Sequence, residues 1–459
     1  MAGSTTWEVR ALKDCATWFS GGTPSRAVPA YWNGTIPWIS AKSLVGFYIS
    51  DSEEHITEEG ARNGTRLVPK DTILFVVRGM SLKSEFRVGL TTREVAFNQD
   101  LKALVAKKDI YAPFLAYALR ARREEILQLV GESGHGTGVL PTDRMYSLSI
   151  TVPSLPEQKR IAMAAQTFDF KIDLNRRINQ TLEAMAQAIF KSWFVDFDPV
   201  KSKIAAKAEG RDPLRAAMSA ISGKLEAELD TLPPEQYQQL AITAALFPDE
   251  MEESELGDIP KGWVIQSAES LSEVGIGKTP PRKEPQWFTD SDGDWRWVSI
   301  KDMGASGLFQ QRSSEFLTAD AVSRFNVRVV PDRTVLLSFK LTVGRVAITD
   351  GPMVTNEAIA HFKLPSDAAI SSEYLYLYLK SFDYSTLGST SSIADAVNSK
   401  TIRGMPITVA ERTLVDRFTR TATPLFEEIR NRQNEIASLC ETRDALLPRL
   451  LSGEIGVPV

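Results

Sequence analysis

The sequence predicts an α+β fold with two α/β domains in tandem, related by a pseudo-twofold axis and separated by an antiparallel pair of long helices. Three observations lead to this prediction. The chain consists of two similar halves, each half begins with short β-rich segments, and each half ends with a long amphipathic helical pattern. Packing the two apolar stripes on each other, as in a two-helix coiled coil, is the simplest way to bury both.

The repeat becomes visible when the halves are compared at a shift of about 256 residues. The segment "GGTPSRAVPAYW" (21–32) falls on "GKTPPRKEPQWF" (277–288). Further on, "RVGLTTREVAFNQDLKAL" (87–104) falls on "RVAITDGPMVTNEAIAHF" (345–362). Because the order of features is kept while loops differ in length, the sequence predicts two copies of one structural unit.

Each unit begins with strands and continues into a helix. In the first half, "DTILFVV" (71–77) and "DLKALVA" (100–106) have the composition of buried strands. The run "APFLAYALRARREEIL" (112–127) predicts a helix, and "SEYLYLYLKSF" (372–382) matches it in the second half. The resulting α/β domains are residues 1–154 and 259–410.

Two long helices are predicted over residues 155–197 and 411–459. Apolar residues recur there at steps of three and four, which places them on one face of each helix, in a common seam. The principal seam positions are Phe168, Ile172, Leu182, Ile189, Trp193, Leu425, Ile429, Ile436, Leu439, Leu446 and Leu450. The seam also contains Met185, Asn175, Arg432 and Arg443. An ordinary helical core is the alternative interpretation of these stripes.

Two features of the helical segments leave alternatives open. Pro424 is either a first-turn proline, with the helix beginning near Thr423, or the site of a kink in a longer helix. The linker, residues 198–258, ends in an acidic stretch. Its alanine- and leucine-rich part predicts at least one amphipathic helix, and a flexible tether is the alternative.

Composition excludes several classes of protein. The chain has 459 residues, 43% of them hydrophobic, which permits two or more ordinary cores. Its sequence has neither an apolar run long enough for a membrane span nor a signal-peptide pattern. Two distant cysteines and three isolated histidines argue against a metal site and fit a reduced cytoplasmic setting. The common hydrolase, zinc-protease and adenine-methylating motifs are missing from the sequence, so no catalytic residue is predicted.

The segment Gly277-Lys278-Thr279 looks like the end of a phosphate-binding loop. Such a loop requires a first glycine at position 272, where this chain has Ser272. The aligned loop of the first half has Gly22 in place of the lysine. The sequence therefore disfavours an ATPase and indicates a loop that varies between the two halves.

The net charge of −5 hides an uneven distribution, because the acidic surplus lies mainly in residues 156–258. Two similar but divergent domains on a rigid spacer suit duplex DNA, and a helix of about 40 residues would be roughly 60 Å long. Basic and polar loop residues are the candidate contacts, since such groups bind phosphates or base edges. They are Thr23, Arg26, Lys42, Arg78, Lys83, Arg87, His135, Lys278, Arg282, Lys283, Lys301, Lys340, Arg345 and Lys400.

These assignments have alternatives. The alternative for each candidate is a solvated surface side chain that contacts no DNA. The aromatic pairs Tyr31/Trp32 and Trp287/Phe288 would either stack on nucleotides or pack in the domain cores. For the whole chain, a protein-interaction scaffold with two binding domains is the alternative to a DNA-binding protein. Steep weakening of binding with salt would indicate DNA.

Four segments resemble the specificity subunit of type I restriction-modification enzymes, and the resemblance covers essentially the full chain. They are "LPEQKRIA" (155–162), "AIFKSWFVDFDPVKSK" (188–203), "LFPDEMEESELGDIPKGW" (246–263) and "LLPRLLSGEI" (446–455). All four lie in the helical and linker segments. One departure is that "VAERTLVDRF" stands in the second half where the first has "VPSLPEQKRI", so Pro156 and Gln158 have no counterpart there.

The resemblance implies a non-catalytic DNA-binding subunit. Each α/β domain would be a target recognition domain that reads one half of a bipartite, asymmetric DNA site, and the helices would set the spacer. The helices would also dock two modification subunits, which bind S-adenosylmethionine and methylate an adenine in each half-site. A restriction subunit with ATP- and Mg-dependent translocase and nuclease activity would join them. This chain itself would bind no cofactor.

Overall fold

The computed structural model of the chain describes residues 7–132, 136–290, 293–387 and 397–456. It divides into two compact units, Met1–Asp173 with Ile436–Val459 (unit 1) and Leu174–Glu435 (unit 2). We refer to residues 1–154 as domain 1 and to residues 259–410 as domain 2, with the boundaries proposed from the sequence. Each long helix contributes one part to each unit.

Domain 1 is built around a five-stranded sheet that is antiparallel except for its last, parallel pair. Its strand order is Ala16–Ser20, Leu101–Ala106, Thr72–Val76, Val88–Thr91 and Tyr48–Ile49. Buried apolar side chains of these strands pack with the helix Ala112–Ala121 to form the main core. The strand Thr72–Val76 is buried at every position, as a central strand covered on both faces requires.

Smaller elements complete domain 1. A four-stranded sheet has the order His55–Ile56, Trp32–Ile39, Val95–Phe97 and Leu67–Val68. Glu8–Ala11 pairs with Ser149–Val152, and Gly138–Val139 pairs with both Gly131–Glu132 and Arg78–Gly79. The remaining helices are Leu12–Cys15, Glu58–Gly64, Arg123–Gln128 and Thr142–Tyr146, with 3-10 turns at Pro29–Tyr31 and Met80–Lys83.

Domain 2 repeats the topology of the five-stranded sheet. Its five-stranded sheet has the order Glu273–Ile276, Ile359–Lys363, Val335–Ser338, Val346–Thr349 and Phe309–Gln310, again with one parallel pair at the end. The four-stranded sheet has the order Phe288–Thr289, Glu315–Leu317, Trp295–Val298 and Val354–Thr355. The predicted α+β class with two α/β domains in tandem is confirmed.

Several other elements of domain 2 have counterparts in domain 1. Val264–Ser267 pairs with Pro406–Val409, as Glu8–Ala11 does with Ser149–Val152. The helices are Ala268–Leu271, Ile300–Ala305, Ala319–Arg324, Ser372–Ser381 and Ser399–Arg403, with 3-10 turns at Pro285–Trp287 and Tyr384–Leu387. The helix Ser372–Ser381 packs on the central sheet as Ala112–Ala121 does in domain 1.

The linker is folded, so the alternative of a flexible tether is wrong. It forms the helices Asp198–Ala208, Pro213–Ser222 and Pro234–Ala245, the 3-10 turn Glu226–Thr231, and a hairpin of Met251–Ser254 with Gly257–Pro260. Asp212 caps the second helix by accepting from the backbone N–H groups of Leu214 and Arg215. The ammonium group of Lys203 is buried and donates to the Phe247 carbonyl.

The two long helices are Leu155–Phe194 (the central helix) and Arg412–Leu451 (the C-terminal helix), each 40 residues long. Their parts run antiparallel in each unit. In unit 2, Asn175 contacts Arg432 while Phe190 contacts Phe418, so the paired residue numbers run in opposite directions. Pro424 lies inside the continuous C-terminal helix, so the interpretation as a first-turn proline is wrong.

Candidate nucleic-acid interface

Four loops of domain 1 are joined to one another and carry most of its predicted DNA contacts. We call them loop cluster 1; they are residues 21–26, 41–43, 77–87 and 97–100. The Gly22 N–H donates to the Phe97 carbonyl at 3.0 Å, and the Val77 N–H donates to the Asp100 carbonyl at 2.8 Å. These bonds between loops that are distant in sequence create one continuous surface.

The corresponding segments of domain 2, one of which lies in the short helix Ile300–Ala305, are joined in the same way. Loop cluster 2 consists of residues 277–282, 300–304, 338–345 and 355–358. The Lys278 N–H donates to the Thr355 carbonyl at 2.8 Å, and the Phe339 N–H donates to the Ala358 carbonyl at 3.0 Å. In the alignment of the two halves, Lys278 corresponds to Gly22 and Phe339 corresponds to Val77. The duplication therefore preserves the backbone frame of the surface.

A buried tryptophan fixes the first loop of each cluster. The indole Nε1 of Trp38 donates to the Gly22 carbonyl at 3.1 Å, and that of Trp297 donates to the Lys278 carbonyl at 3.3 Å. Both rings are buried, which satisfies the indole N–H inside the fold. The adjacent aromatic residues pack as well, since Trp32 meets Trp38 edge to face and Phe288 meets Trp297 likewise.

Gly277, which suggested a phosphate-binding loop, has a packing role. A Cβ atom at this position would lie 2.2 Å from the Asn356 carbonyl oxygen and from Thr355 Oγ1. A Cβ atom on the aligned Gly21 would lie 2.2 Å from the Phe97 carbonyl oxygen. Both glycines permit a close approach of two backbone segments, and neither has positive φ.

The surroundings of Lys278 do not match a nucleotide site. Its backbone N–H is already bound by Thr355. The next helical segment is only the 3-10 turn Pro285–Trp287, whereas a phosphate-binding loop leads directly into an α-helix. The resemblance of Gly277-Lys278-Thr279 to such a loop is therefore superficial.

A threonine orients an exposed side chain in each cluster. Thr23 Oγ1 donates to Gln99 Oε1 at 2.7 Å, and Thr279 Oγ1 donates to Glu357 Oε2. Gln99 and Glu357 are exposed and occupy aligned positions. Sequence reasoning selected Thr23 but missed Gln99 and Glu357. Their shared place directly after an aligned asparagine was the available signal.

Arg26 lies in a pocket of domain 1 instead of extending freely into solvent. Its guanidinium donates to both carboxylate oxygens of Glu54, one of them at 3.0 Å, and lies 3.7 Å from the ring centre of Trp32. The hydrogen bond to Glu54 raises the pKa of Arg26, and Arg26 in turn lowers the pKa of Glu54. Reaching a phosphate would require Arg26 to leave Glu54.

Arg282 repeats this arrangement in domain 2. Its guanidinium donates to Glu315 Oε1 at 2.6 Å and to Oε2 at 3.0 Å. It lies 4.3 Å from the ring centre of Phe288 and 4.4 Å from that of Trp297. Such a bidentate, stacked geometry suits arginine and not lysine. Arg26 and Arg282 thus hold the first loops of both clusters in place.

Arg87 and Arg345 connect two loops of their clusters. Arg87 Nη1 donates to the Ala41 carbonyl at 3.3 Å, and Arg345 Nη1 donates to the aligned Ile300 carbonyl. Arg87 Nε also donates to Glu85 at 2.8 Å. Both arginines are half-buried. Their positive charges lie at the clusters while their hydrogen bonds are directed inward.

Two of the remaining basic residues of domain 1 have acidic partners. Lys42 lies 3.3 Å from Glu53, and Lys83 lies 3.4 Å from Glu132. Both pairs are largely exposed and weak, so phosphate groups could displace the carboxylates at little cost. Arg78 is exposed in the strand Arg78–Gly79. His135 lies outside the described residues.

The five predicted lysines of domain 2 differ from those of domain 1. All five are exposed, and none forms an ion pair within residues 7–132, 136–290, 293–387 and 397–456. They are Lys278, Lys283, Lys301, Lys340 and Lys400. Lys278, Lys301 and Lys340 are in loop cluster 2 itself. In the described part of the chain, the charges of these five lysines are therefore not neutralised by ion pairs.

The family described as type I restriction modification DNA specificity domain matches residues 4–184 and 260–409. The chain belongs to this family. The two matches cover nearly all of the two α/β domains, so this specificity chain has two DNA specificity domains in tandem, as the sequence predicted.

Individual relatives agree with the family. The specificity chain is 33% identical over 407 residues to the type I restriction enzyme HindI specificity subunit of Haemophilus influenzae, covering 83% of this chain and 87% of the relative. It is 25% identical over 465 residues to the MjaIX specificity subunit of Methanocaldococcus jannaschii, covering 98% and 94%. A crystal structure of a type I S subunit from M. genitalium has a TM-score of 0.48 and 13% identity, with 98% and 97% covered.

The positions predicted for the helix seam of the specificity chain differ in burial. Ile172, Trp193, Ile429 and Leu450 are buried, and the other seven principal positions are half-buried. Met185 is a wrong prediction, because its side chain is 48% exposed. The neighbouring Ala186 and Phe190 are buried instead. A straight helix has 3.6 residues per turn, so its buried face rotates slowly relative to a seam drawn in steps of three and four residues. A seam position predicted from such steps can therefore lie beside the buried face.

A buried ionic cluster joins the helices to domain 1 in unit 1. Asp169 of the central helix accepts from Tyr117 Oη at 2.7 Å, from Arg120 at 2.9 Å and from Arg443 of the C-terminal helix at 2.5 Å. Burial, together with the charge of Asp169, raises the pKa of Tyr117. Arg443 was predicted in the seam, whereas its partner Asp169 was missed.

The seam in unit 2 contains a polar layer around Asn175. Its Nδ2 donates to Glu435 at 2.8 Å, and its Oδ1 accepts from Arg432 at 3.0 Å. Asn179 Nδ2 donates to the Ile429 carbonyl at 3.4 Å. Polar groups of this kind favour one register of paired helices, because a shifted register would leave them buried without partners.

Gln158 explains one difference between the halves. Its side chain is buried, donates to the carbonyls of Pro153 and Asp109, and accepts from the Tyr111 N–H at 2.7 Å. It therefore attaches the first turn of the central helix to domain 1. The second half has no matching glutamine, and there Arg412 donates to the Ala368 carbonyl at 2.7 Å near the start of the C-terminal helix.

The described residues contain no cluster of histidine, cysteine, aspartate and glutamate side chains that could hold a metal ion. His55 contacts Asp51 at 2.7 Å, whereas His361 is buried in the central sheet of domain 2. Within the described part of the chain, no helix is long and apolar enough to cross a membrane.

Proposed function

We propose that the chain is the non-catalytic DNA-recognition subunit of a type I restriction-modification complex, and that each α/β domain reads one half of a bipartite, asymmetric site. One observation carries this proposal. Loop clusters 1 and 2 share a backbone frame but differ in chemistry at aligned positions: the exposed Lys278 stands where the first cluster has Gly22, and the exposed Glu357 stands where it has Gln99. Two surfaces with the same backbone arrangement and different exposed side chains are suited to reading two different base sequences.

The charge of loop cluster 2 supports DNA as the ligand. Its exposed lysines carry no acidic partners in the described part of the chain, although the protein as a whole has a net charge of −5. Phosphate contacts would position the domain, while amide and carboxylate groups would read base edges. We assign the predicted DNA contacts to these two roles, with Arg26, Arg87, Arg282 and Arg345 supporting the loops from within.

The remaining parts of the proposal concern assembly. The central and C-terminal helices would set the spacer between the half-sites and dock two modification subunits. Those subunits would bind S-adenosylmethionine and methylate an adenine extruded from each half-site. Restriction subunits would supply ATP- and Mg-dependent translocation and cleavage, and this chain would bind no cofactor. Membership of the specificity family supports assembly into such a cytoplasmic complex.

Selection from randomised duplex DNA tests the function. The complex of this chain with its modification subunit should select two fixed blocks separated by a spacer of constant length. Binding should weaken steeply with salt. Selection of no sequence would reject the proposal, and binding that is insensitive to salt would favour a protein-interaction scaffold.

A domain exchange tests independent reading. Replacing residues 1–150 by those of a relative should change one block and leave the other unchanged. A change in both blocks would contradict separate recognition by each domain. Inserting four residues into the central helix should change the spacer or prevent assembly, because one helical turn is added.

A further inference from the structure

Gln99 and Glu357 stand at the tips of two turns with the same backbone anchorage. The turns begin at Asn98 and Asn356. The Asn98 N–H donates to the Ile39 carbonyl at 2.9 Å, and the Asn356 N–H donates to the Val298 carbonyl at 3.0 Å. Each turn is thus fixed to the carboxyl end of a strand in its four-stranded sheet, directly beside the loop that contains Thr23 or Thr279.

The asparagine side chains fix the two turns internally. Asn98 Oδ1 accepts from the Asp100 N–H at 3.1 Å, and Asn356 Oδ1 accepts from the Ala358 N–H at 3.1 Å. Both bonds span the tip residue, as in an Asx turn. The tip side chain makes no contribution to this anchorage, so its chemistry can differ between the domains while its position is retained.

The threonine hydroxyls orient the two tips alike. Each hydroxyl donates to one oxygen of the tip side chain. In Gln99 this leaves the amide NH₂ group and one lone pair of Oε1 for another partner. In Glu357 it leaves Oε1, which can only accept. The tip residue of loop cluster 1 therefore presents a donor and an acceptor, and the tip residue of loop cluster 2 presents an acceptor alone.

The charge of Glu357 limits what it can contact on DNA. It is exposed on the surface that carries Lys278, Lys301 and Lys340. Near a phosphate it would repel the ligand that these lysines attract. A carboxylate on a DNA-binding surface is compatible with binding when it faces an amino group on a base edge. In the major groove, carboxylates accept from the N4 amino group of cytosine.

We propose that Gln99 reads an adenine in the half-site bound by domain 1 and that Glu357 reads a cytosine in the half-site bound by domain 2. The amide of Gln99 matches the N6 donor and N7 acceptor of adenine. This inference rests on the proposed function and specifies two base contacts within it. Thr23 and Thr279 act as positioning residues that hold each reading group in one orientation.

Reciprocal substitutions test the proposal. Glu357→Gln and Gln99→Glu should each change the preferred base at one position of one half-site, from cytosine to adenine and from adenine to cytosine. The preference for the new base should be on the order of tenfold, the discrimination of one good base contact. The measurement is selection from randomised duplex DNA by the complex with the modification subunit, followed by sequencing.

Glu269→Gln is the matched control. Glu269 is an exposed glutamate of domain 2 that lies at the opposite end of the strand Glu273–Ile276 from loop cluster 2. This acid-to-amide change should leave both half-sites unchanged. Thr279→Val should weaken the preference for cytosine without replacing it by another base, because the carboxylate loses its fixed orientation. The thermal midpoint of every variant shows whether folding is retained.

The outcomes separate the two proposals. If the unsubstituted complex selects no sequence, the proposed function fails. If it selects two half-sites that Glu357→Gln and Gln99→Glu leave unchanged, only the reading roles fail. Weaker binding of a folded variant without a new base preference also overturns the reading roles, because it indicates a general contact.

Discussion

Arg443 of the C-terminal helix donates a hydrogen bond to Asp169 of the central helix at 2.5 Å, and both side chains are less than a tenth exposed. Asp169 also accepts from Arg120 and Tyr117 of domain 1. This carboxylate thus connects three segments of unit 1 that are far apart in sequence. Its removal would leave two guanidinium groups without their shared partner.

Asp169→Asn is expected to lower the free energy of unfolding by about 3 kcal/mol, because the charges of Arg120 and Arg443 lose their buried shared partner and Arg443 keeps only Asp444. Urea denaturation measures the effect. Glu58→Gln is the control, since its pair with Arg62 is highly exposed and should contribute less than about 0.5 kcal/mol. Equal losses of unfolding free energy in both variants would show that the burial of Asp169 does not increase its contribution to stability.

Stability of domain 2 should depend on pH through His361. Burial, with a smaller contribution from Arg328, lowers the pKa of His361 from 6.5 to about 4. Between these values the unfolded chain binds a proton that the folded chain does not. Stability is therefore lost as the pH falls from 6.5 towards 4, with a loss of about 2 kcal/mol at pH 5 relative to pH 7.

The contribution of His361 can be isolated by substitution. In His361→Gln the change in unfolding free energy between pH 7 and pH 5 should be smaller than in the unsubstituted chain by about 2 kcal/mol. Because carboxylates titrate in both proteins, the comparison cancels their contribution. An identical pH dependence in both would mean that His361 gains a proton in the folded state as easily as in the unfolded state.

Lysines without acidic partners should contribute to the salt dependence of DNA binding. Lys340→Gln should weaken binding by a similar factor for different sequences and reduce the slope of log affinity against log salt by about 0.9. Titrations of the assembled complex at several salt concentrations measure the slope. Lys224→Gln, at an exposed lysine of the linker, should leave it unchanged. A loss confined to one DNA sequence would indicate that Lys340 contacts a base.

Gly277→Ala should disrupt loop cluster 2, since the new Cβ atom would lie 2.2 Å from the Asn356 carbonyl oxygen. We expect a loss of stability of about 2 kcal/mol and weaker DNA binding, as for other overpacked sites. In Gly404→Ala the nearest atom is 3.5 Å away, so stability should change little. If Gly277→Ala were fully stable, the close approach would not constrain this position.

Lys278→Ala tests whether the segment Gly277-Lys278-Thr279 binds a nucleotide. The substitution retains the backbone bond to Thr355 and removes only the ammonium group. ATP-dependent activity of the assembled complex at a saturating DNA concentration should be unchanged. A loss of ATP hydrolysis under these conditions would restore the phosphate-binding interpretation.

The repeat was the most informative part of the sequence. It aligned Gly21 with Gly277, Trp38 with Trp297 and Arg87 with Arg345, and in each case the structure shows equivalent contacts. The alignment predicts equivalent backbone positions in the two halves because these positions depend on local sequence and strand pairing. The repeat therefore predicted that the two halves contain copies of one structural unit.

Other features depend on long-range partners that no local pattern specifies. Arg26 and Arg282 were selected as loop cations, yet each is bound by a glutamate about 30 residues away along the chain. The partner Asp169 was missed because an isolated acidic residue in a helix usually indicates an exposed face. Pro424 was ambiguous, since proline fits the first helical turn yet is also tolerated where packing holds a longer helix.

The Asn-anchored turns have an evolutionary consequence. Glutamine and glutamate codons differ at a single nucleotide, so one point mutation exchanges the tip residue without disturbing the hydrogen bonds that hold it. Under our assignment, a lineage could acquire a new target in one step while its folding stability stays the same. Chromosomal copies of that target would at first be unmethylated, which would make self-protection, and not protein architecture, the barrier to diversification.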